Sequence, residues 1–211
     1  MKKFQNLDRD KKTRILNAAF QEFSEKGFEL ASTNSIVKKA NIGKGMLFYY
    51  FKNKKELYNY LIDFCFDITI DEYLLKINIE QKDVIERFKQ AAIIKMAAFA
   101  EYPDVYNFMG TVLLKGEEHI PDKLKPKFNR LQELGYSRLY ENIDYSLFRD
   151  DIEVDKAFQL IQWAIEGYQN KLKQELYGKN FSEINFDPYW EEFFGYLEIL
   201  KTSFYSKGRD A

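Results

Sequence analysis

Proline and glycine, the residues that most readily interrupt helices, are scarce in this chain and stand at the boundaries of its apolar segments. There are 4 Pro and 10 Gly among 211 residues. The four prolines, Pro103, Pro121, Pro126 and Pro188, fall at or just before the start of segments whose apolar residues recur at helical spacing, where a helix tolerates Pro. No alternating apolar and polar run is long enough for a sheet. The pattern predicts an all-α protein of about nine helices.

The first two helices are delimited by capping residues. Asp8 and Asp10 are helix-start signals, and Gly27 is a stop signal. Thr33 is expected to cap a short second helix. The following Asn41–Gly43 segment reads as a tight turn, since Asn and Gly both tolerate positive φ. A third short helix is predicted from Lys44 to Tyr50.

The remaining helices are longer. Asn53 and Glu56 have capping-box spacing at the start of a fourth helix that continues through Ile68. Because this helix follows the third directly, it is expected to join two parts of the chain rigidly. Five further helices are predicted at residues 81–101, 103–116, 123–148, 153–177 and 187–206.

Composition excludes several classes of protein. The single cysteine, Cys65, cannot form an intrachain disulfide, and the single histidine, His119, excludes multi-His zinc motifs. We therefore expect no metal site and no cofactor. No apolar run approaches 18 residues, and the N-terminus lacks the apolar segment of a signal peptide. The expected location is the cytoplasm.

The formal charge of −1 hides a strong asymmetry along the chain. Residues 1–58 contain 13 Lys/Arg and 6 Asp/Glu, a balance of +7, whereas residues 59–211 contain 19 Lys/Arg and 27 Asp/Glu, a balance of −8. A basic segment joined to an acidic one is typical of a nucleic-acid-binding module fused to another domain.

The two short helices and the turn between them form a helix-turn-helix pattern. Ala40, Ile42 and Leu47 supply the small or apolar residues needed where the helices touch. The face expected to enter the DNA major groove carries Lys44, Gly45, Met46, Phe48 and Tyr49. The residues suited to phosphate contacts are Thr33, Tyr49, Tyr50, Lys54 and Lys55. Phe48, Tyr49, Tyr50 and Phe51 are also compatible with packing between the third and fourth helices, which is the favoured interpretation for Phe51.

The segment GFELASTNSIVKKANIGKGMLFYYFKNKKEL resembles the DNA-binding signature of the TetR (tetracycline repressor) family of transcriptional regulators. The matching positions are Gly27, Phe28, Thr33, Ile36, Ala40, Ile42, Gly45, Leu47, Tyr50, Phe51, Lys54 and Leu57. The departures are Val37 for the usual Ala, Asn41 for Gly, Gly43 for Ser, Met46 for Thr and Phe48 for Tyr. The resemblance covers about 30 residues and implies a homodimeric DNA-binding regulator.

The resemblance also implies two domains with different functions. Residues 1–52 would form the helix-turn-helix domain, and residues 53–211 a helical bundle for ligand binding and dimerisation. Residues expected at a mainly apolar ligand pocket are Phe64, Met96, Phe99, Tyr102, Phe108, Tyr136, Tyr140 and Trp163. Residues expected at the dimer interface are Phe158, Ile161, Ile165, Gly167, Tyr168, Leu172, Trp190, Phe193, Phe194, Leu197 and Leu200. A small-molecule effector would release the protein from a palindromic operator in double-stranded DNA.

Two other classes remain compatible with the residues. One is a DNA-organising or protein-interaction module without a ligand, which would bind many sites with little sequence preference. The other is a helical-bundle enzyme, for which only carboxylates such as Glu101, Glu166 and Glu175 are available as catalytic groups, since no P-loop or GxSxG motif is present. We expect a regulator and no enzymatic activity.

Overall fold

The computed structural model describes residues 2–177, 179 and 183–206. Within these residues there are nine α-helices of seven or more residues, a short helix before them, and no β-strand, which confirms the predicted fold class. The helices are α1 Lys2–Gln5, α2 Arg9–Leu30, α3 Thr33–Lys39, α4 Lys44–Tyr50, α5 Lys54–Glu72, α6 Val84–Glu101, α7 Pro103–Leu113, α8 Lys125–Tyr140, α9 Val154–Leu176 and α10 Asp187–Phe204.

The helix predicted at residues 123–148 is shorter than expected. It ends as α8 at Tyr140 because the chain turns at Asn142, whose φ is +56°. A single 3₁₀ turn, Tyr145–Leu147, then replaces the last predicted turns. Asn tolerates this left-handed conformation better than most residues, but apolar spacing alone did not reveal the break.

The starts of α2 and α3 agree with the capping signals in all but one residue. The predicted stop at Gly27 only interrupts the helical dihedral angles, and α2 ends at Leu30. The Asp8 carboxylate accepts hydrogen bonds from the backbone N–H groups of Asp10 and Lys11 at 3.1 and 3.2 Å. Ser32, not Thr33, caps α3: its hydroxyl accepts from the Ser35 N–H at 3.5 Å. Ser32 has extended dihedral angles, whereas Thr33 is already the first helical residue, and a cap requires the non-helical backbone.

The start of α5 contains half of the predicted capping box. The Asn53 side chain accepts from the Glu56 N–H at 2.8 Å. The Glu56 carboxylate pairs with Lys123 at 3.0 Å. Asn53 thus fixes the first residue of α5, while Glu56 links that first turn to the segment before α8.

Contacts group the chain into two compact units that do not follow its linear order. The first contains residues up to Thr69 and Phe99–Phe128, and the second contains mainly Ile70–Ala98, Asn129–Lys179 and the segment from Ile184. A domain boundary after residue 52 stays a prediction.

The core of the first unit is aromatic. Phe20 and Phe23, both on α2, are almost fully buried. The Phe20 ring lies 5.4 Å from the Phe108 ring on α7, and the Phe23 ring lies 5.0 Å from that of Tyr58 on α5. These rings join the helix that precedes the helix-turn-helix to α5 and α7.

The core of the second unit is mainly aliphatic and encloses one arginine. Its buried residues include Val84, Ile85, Ile161, Ile165 and Leu197. The Arg87 guanidinium is fully buried and donates to the main-chain carbonyls of Ile79, Gln81, Arg138, Glu141 and Asn142. Because Arg138, Glu141 and Asn142 lie at the end of α8, Arg87 satisfies carbonyls that the helix leaves without partners.

Candidate nucleic-acid interface

Helices α3 and α4 and the turn between them form a closely bonded helix-turn-helix. The Ala40 N–H donates to the Ile36 carbonyl at 2.9 Å, and the Ile42 N–H donates to the Val37 carbonyl at 3.0 Å. Asn41 has φ +53°, as its turn position predicts. Gly43 has φ −72° and is the N-cap of α4, with no side-chain hydrogen bond. The residue that carries the positive φ is therefore Asn41.

The inner face of this motif is apolar. Ile36 and Ala40 are fully buried, and Leu47 is 1% exposed. Ile42, the third predicted contact residue besides Ala40 and Leu47, is only partly buried. These residues determine the rotation of α4 about its axis, and hence which side chains point outward.

The outer face of α4 presents the residues predicted to read DNA. Lys44 and Gly45 are exposed, Phe48 is 37% exposed and Tyr49 is 60% exposed. Met46 is half-buried. A Cβ added at Gly45 would meet nothing within 4 Å. The arrangement offers a mixed aromatic and basic surface, and the role of each residue on DNA stays a prediction.

The first turn of α3 is held in place by a buried carboxylate that the sequence did not single out. Glu22 on α2 has no exposed surface. It accepts hydrogen bonds from the Ser32 N–H at 3.0 Å, the Ser35 hydroxyl at 2.6 Å and the Lys26 ammonium at 2.9 Å. Burial raises the pKa of Glu22, but these donors outweigh burial and lower the pKa from 4.5 to about 2. Glu22 is therefore ionised at neutral pH and fixes α3 against α2.

The predicted phosphate-contact residues differ in their surroundings. Lys55 is exposed, and Thr33 is half-buried at the start of α3. The Lys54 ammonium donates to the Glu29 and Ala31 carbonyls at 3.0 and 3.2 Å and lies 4.8 Å from the Phe28 ring centroid. Lys54 therefore ties the end of α2 to the start of α5, and a DNA contact by it stays a prediction.

The two aromatic residues that end α4 separate into different environments. Phe51 is buried, with its ring 4.8 Å from Phe4 and 5.3 Å from Tyr60. Tyr50 is half-buried, and its ring makes an edge contact with Phe4 at 5.6 Å. Phe51 is thus a packing residue, whereas Tyr50 retains surface that DNA could contact.

Several residues predicted at the dimer interface lie in the interior of the second unit. Ile161, Ile165 and Leu197 are at most 2% exposed, and Tyr168 is 8% exposed with its hydroxyl bonded to the Tyr189 carbonyl at 2.7 Å. Three of the others, Phe158, Phe193 and Phe194, pack against this core, as does Leu200. Gly167 lies on the surface. Leu172 and Trp190 are half-buried.

The exposed apolar residues of α9 and α10 come from the other side of each helix. They are Leu160 at 47%, Trp163 at 60%, Tyr196 at 44% and Ile199 at 61% exposure. We call these four residues the outer face. Most residues predicted at the dimer interface thus lie on the side that the unit buries. Helical spacing alone does not show which side faces the interior.

The predicted pocket residues are divided between the units. Phe64, Phe99, Tyr102 and Phe108 belong to the first unit, whereas Met96, Tyr136, Tyr140 and Trp163 belong to the second. Phe108 is fully buried in the aromatic core, and Trp163 lies on the outer face. Tyr136 and Tyr140 contact each other, with rings 5.2 Å apart. A ligand site at these residues stays a prediction.

Among the helices of the described residues, none combines the length and apolar character that crossing a membrane requires.

Comparison with known proteins identifies the N-terminal motif. The family described as bacterial regulatory proteins, tetR family, matches residues 15–61. The negative transcriptional regulator IcaR of the biofilm operon icaADBC from Staphylococcus epidermidis is 38% identical over 65 residues, which are 31% of this chain and 35% of that protein. IcaR from Staphylococcus aureus strain Newman is 39% identical over 56 residues, which are 26% of this chain and 30% of that protein. The chain thus matches about a third of the length of these curated relatives.

Solved structures extend the likeness to the whole fold. A TetR-like regulator from Rhodococcus sp. RHA1 has a TM-score of 0.61 and 22% identity, covering 93% of this chain and 97% of that one. A TetR family regulator from Chloroflexus aurantiacus has a TM-score of 0.57 and 18% identity, covering 98% and 99%. FadR from Bacillus subtilis, solved with stearoyl-CoA, has a TM-score of 0.53 and 17% identity, covering 90% and 97%. The helix-turn-helix segment of this chain, residues 15–61, thus matches the tetR family of bacterial regulatory proteins, and the solved structures show the same helical fold.

Proposed function

We propose that this protein is a homodimeric transcriptional repressor that binds a palindromic operator through α4. The observation that carries the proposal is the outward face of α4, where Lys44, Gly45, Phe48 and Tyr49 stand on a helix-turn-helix that Glu22 and Leu47 hold in place. The excess of positive charge in residues 1–58 supports attraction to DNA. A repressing role is favoured by IcaR, whose name describes a negative regulator. The cytoplasmic location expected from the sequence agrees with binding to chromosomal DNA.

The outer face of α9 and α10 supports pairing with a second copy of the chain. Large exposed apolar residues in neighbouring positions mark interaction surfaces. Gly167 and Gly195 lie on these helices, and a Cβ added at either would meet nothing within 4 Å. Another helix could therefore approach closely. Twofold pairing would present two α4 helices to half-sites about 34–36 Å apart.

A small-molecule effector would act by shifting the dimer between two states. In one state the spacing of the two α4 helices matches the operator, and in the other it does not. The effector changes operator occupancy only to the extent that it binds the second state more tightly. The stearoyl-CoA complex of the structurally similar FadR supports an effector with a large apolar part.

Selection from random duplex DNA by the purified protein, at fixed salt near physiological ionic strength, tests the proposal. We expect enrichment of a palindrome whose half-sites are one helical turn apart. Binding without enrichment that weakens uniformly as salt rises would overturn sequence-specific repression and favour a DNA-organising protein. Enrichment of a single half-site would retain DNA recognition but contradict the twofold dimer.

A further inference from the structure

The short helix α1 is held to the first unit by one buried phenylalanine. Phe4 is fully buried. Its carbonyl accepts a hydrogen bond from the Leu7 N–H at 3.2 Å, so the chain turns here before α2 begins at Arg9. A helix of four residues is not stable by itself in water. The position of α1 therefore depends on the contacts of the Phe4 ring.

Three aromatic rings from α4 and α5 contact the Phe4 ring. Two of them stand where α4 ends, Phe51 at 4.8 Å and Tyr50 at 5.6 Å. The third belongs to Tyr60 on α5, which lies at 5.4 Å and nearly perpendicular to Phe4, at 82°. Such edge-to-face contacts between rings are favourable. Phe4 thus joins the end of α4 to α5.

The contacts of Phe4 continue to the exposed face of α4. The Tyr50 ring lies 5.3 Å from that of Tyr49, and Tyr49 is 60% exposed. Because α4 has only seven residues, packing rather than its own hydrogen bonds fixes its direction. Phe4 lies outside residues 15–61, which match the tetR family, so that match assigns it no role. Its ring nevertheless packs beside the aromatic residues of the candidate DNA-binding surface.

We propose that Phe4 is a positioning residue for DNA recognition: its ring sets the direction of the end of α4 and thereby the placement of Tyr49 and Tyr50 against DNA. The inference rests on the proposed function, because it assigns to Phe4 an effect on operator affinity. A smaller side chain at this position leaves space between α4 and α5, and the surrounding rings relax into part of it. The rings that face DNA then shift, although none of them has been substituted.

Phe4→Leu tests this role, with Phe66→Leu as its matched control. Phe66 is also fully buried in the first unit, but its ring lies 5.6 Å from that of Phe128 on α8. Its position is about 18 Å along α5 from the first residue of that helix. Both changes should destabilise the protein, because each removes part of a buried ring. A smaller folded fraction weakens binding to every DNA by the same factor, so the ratio of operator affinity to affinity for unrelated DNA separates positioning from stability.

We expect Phe4→Leu to lower this ratio about fivefold, because displaced side chains lose contacts with the bases. Phe66→Leu should leave the ratio within about twofold of the wild type, as is usual for distant sites without shared partners. Phe4→Met is a second variant, whose flexible side chain fills irregular space. Its ratio should lie between those of the wild type and Phe4→Leu. Titrations of both DNAs at one salt concentration measure the four proteins.

Hydrogen exchange supplies a measurement that needs no DNA. The Phe51 N–H donates to the Leu47 carbonyl at 2.9 Å at the end of α4. Exchange of this amide should be about tenfold faster in Phe4→Leu than in Phe66→Leu, because local opening of α4 becomes easier without the Phe4 ring.

Three results would overturn the proposal: an affinity ratio that falls equally in Phe4→Leu and Phe66→Leu, a ratio that keeps its wild-type value in Phe4→Leu, or equal exchange of the Phe51 amide in the two variants. If selection with the wild type enriches no operator, the proposed repressor function fails, whereas the exchange measurement still tests whether Phe4 positions α4. The two failures are therefore distinguishable.

Discussion

At the scale of single residues, two buried charges stabilise backbone that would otherwise lack partners. The Glu22 carboxylate accepts hydrogen bonds from the Ser32 N–H and the Ser35 hydroxyl where α3 begins. The Arg87 guanidinium donates hydrogen bonds to main-chain carbonyls where α8 ends. A buried charge is tolerated only when it is paired or fully hydrogen-bonded. Both side chains therefore have well-defined structural roles, and Glu22 has its role directly beside the candidate DNA-binding surface.

Glu22→Gln is expected to lower the free energy of unfolding by about 2–3 kcal/mol at pH 7, because a charged acceptor of several hydrogen bonds is replaced by a neutral one. The folded pKa of Glu22, about 2, lies below its ordinary value of 4.5. The contribution of the carboxylate is therefore complete above pH 4.5 and is lost as the pH falls towards 2. Urea unfolding of both proteins between pH 7 and pH 3 measures the difference, which should narrow with falling pH.

The exposed Glu29 supplies the control for this measurement. Glu29→Gln should change the free energy of unfolding by less than about 0.5 kcal/mol at pH 7, as is usual at the surface. A difference between Glu22→Gln and wild type that stays constant down to pH 3 would contradict the proposed ionisation of Glu22.

At the scale of helices, glycines have opposite roles in α2 and α4. Gly27 has φ +67° and ψ 178°, which interrupts the helical dihedral angles of α2. Gly45 is in the first turn of α4, with open space where a Cβ would stand. The first position needs glycine for its backbone conformation, whereas the second has no conformational requirement for it.

Gly27→Ala is expected to destabilise the protein by about 1–3 kcal/mol, since its dihedral angles are nearly restricted to glycine.

Gly45→Ala should stabilise α4 by up to about 1 kcal/mol, because alanine is the better helix former. If Gly45 lets the backbone approach the bases, the same change should weaken operator binding at least fivefold. Thermal unfolding and DNA titration measure the two effects separately. Unchanged operator affinity in Gly45→Ala would remove this glycine from the interface.

Basic residues at the two ends of the motif should differ in how they affect binding. Lys55→Ala should weaken binding to operator and unrelated DNA by the same factor and reduce the slope of log affinity against log salt by about 1, as expected of a phosphate contact. Lys44→Ala, at the start of α4, should weaken operator binding more than binding to unrelated DNA. Titrations of both DNAs at three salt concentrations test this. If Lys44→Ala weakened the affinity for operator and for unrelated DNA by the same factor, Lys44 would not contact the bases.

At the scale of the whole molecule, the proposed dimer would depend on surfaces that a single chain leaves exposed. The outer face contains Trp163 and Ile199, each about as exposed as an ordinary surface residue, at 60% and 61%. An isolated chain would leave these apolar groups in water, and a second copy would remove them from it. In the proposed dimer, glycine on the same helices would determine how closely that copy can approach.

Gly167→Met tests the dimer without disturbing the single chain. Because nothing lies within 4 Å of an added Cβ, the fold should be unchanged, and the loss of a mid-helix glycine should add up to about 1 kcal/mol to helix stability. Light scattering should nevertheless show a shift from dimer to monomer, with operator affinity at least tenfold lower. Asn129→Met, at an exposed site on α8, should remain dimeric. A fully dimeric Gly167→Met protein would place the interface elsewhere.

The sequence by itself determined the helical class, the helix-turn-helix and its Asn41 turn, because capping, φ preference and apolar spacing act between residues a few positions apart. Only the tertiary structure decided that Ile161 and Leu197 are interior while Trp163 is exposed. It likewise decided the buried role of Glu22. These outcomes depend on contacts between helices distant in the chain, which local patterns do not specify.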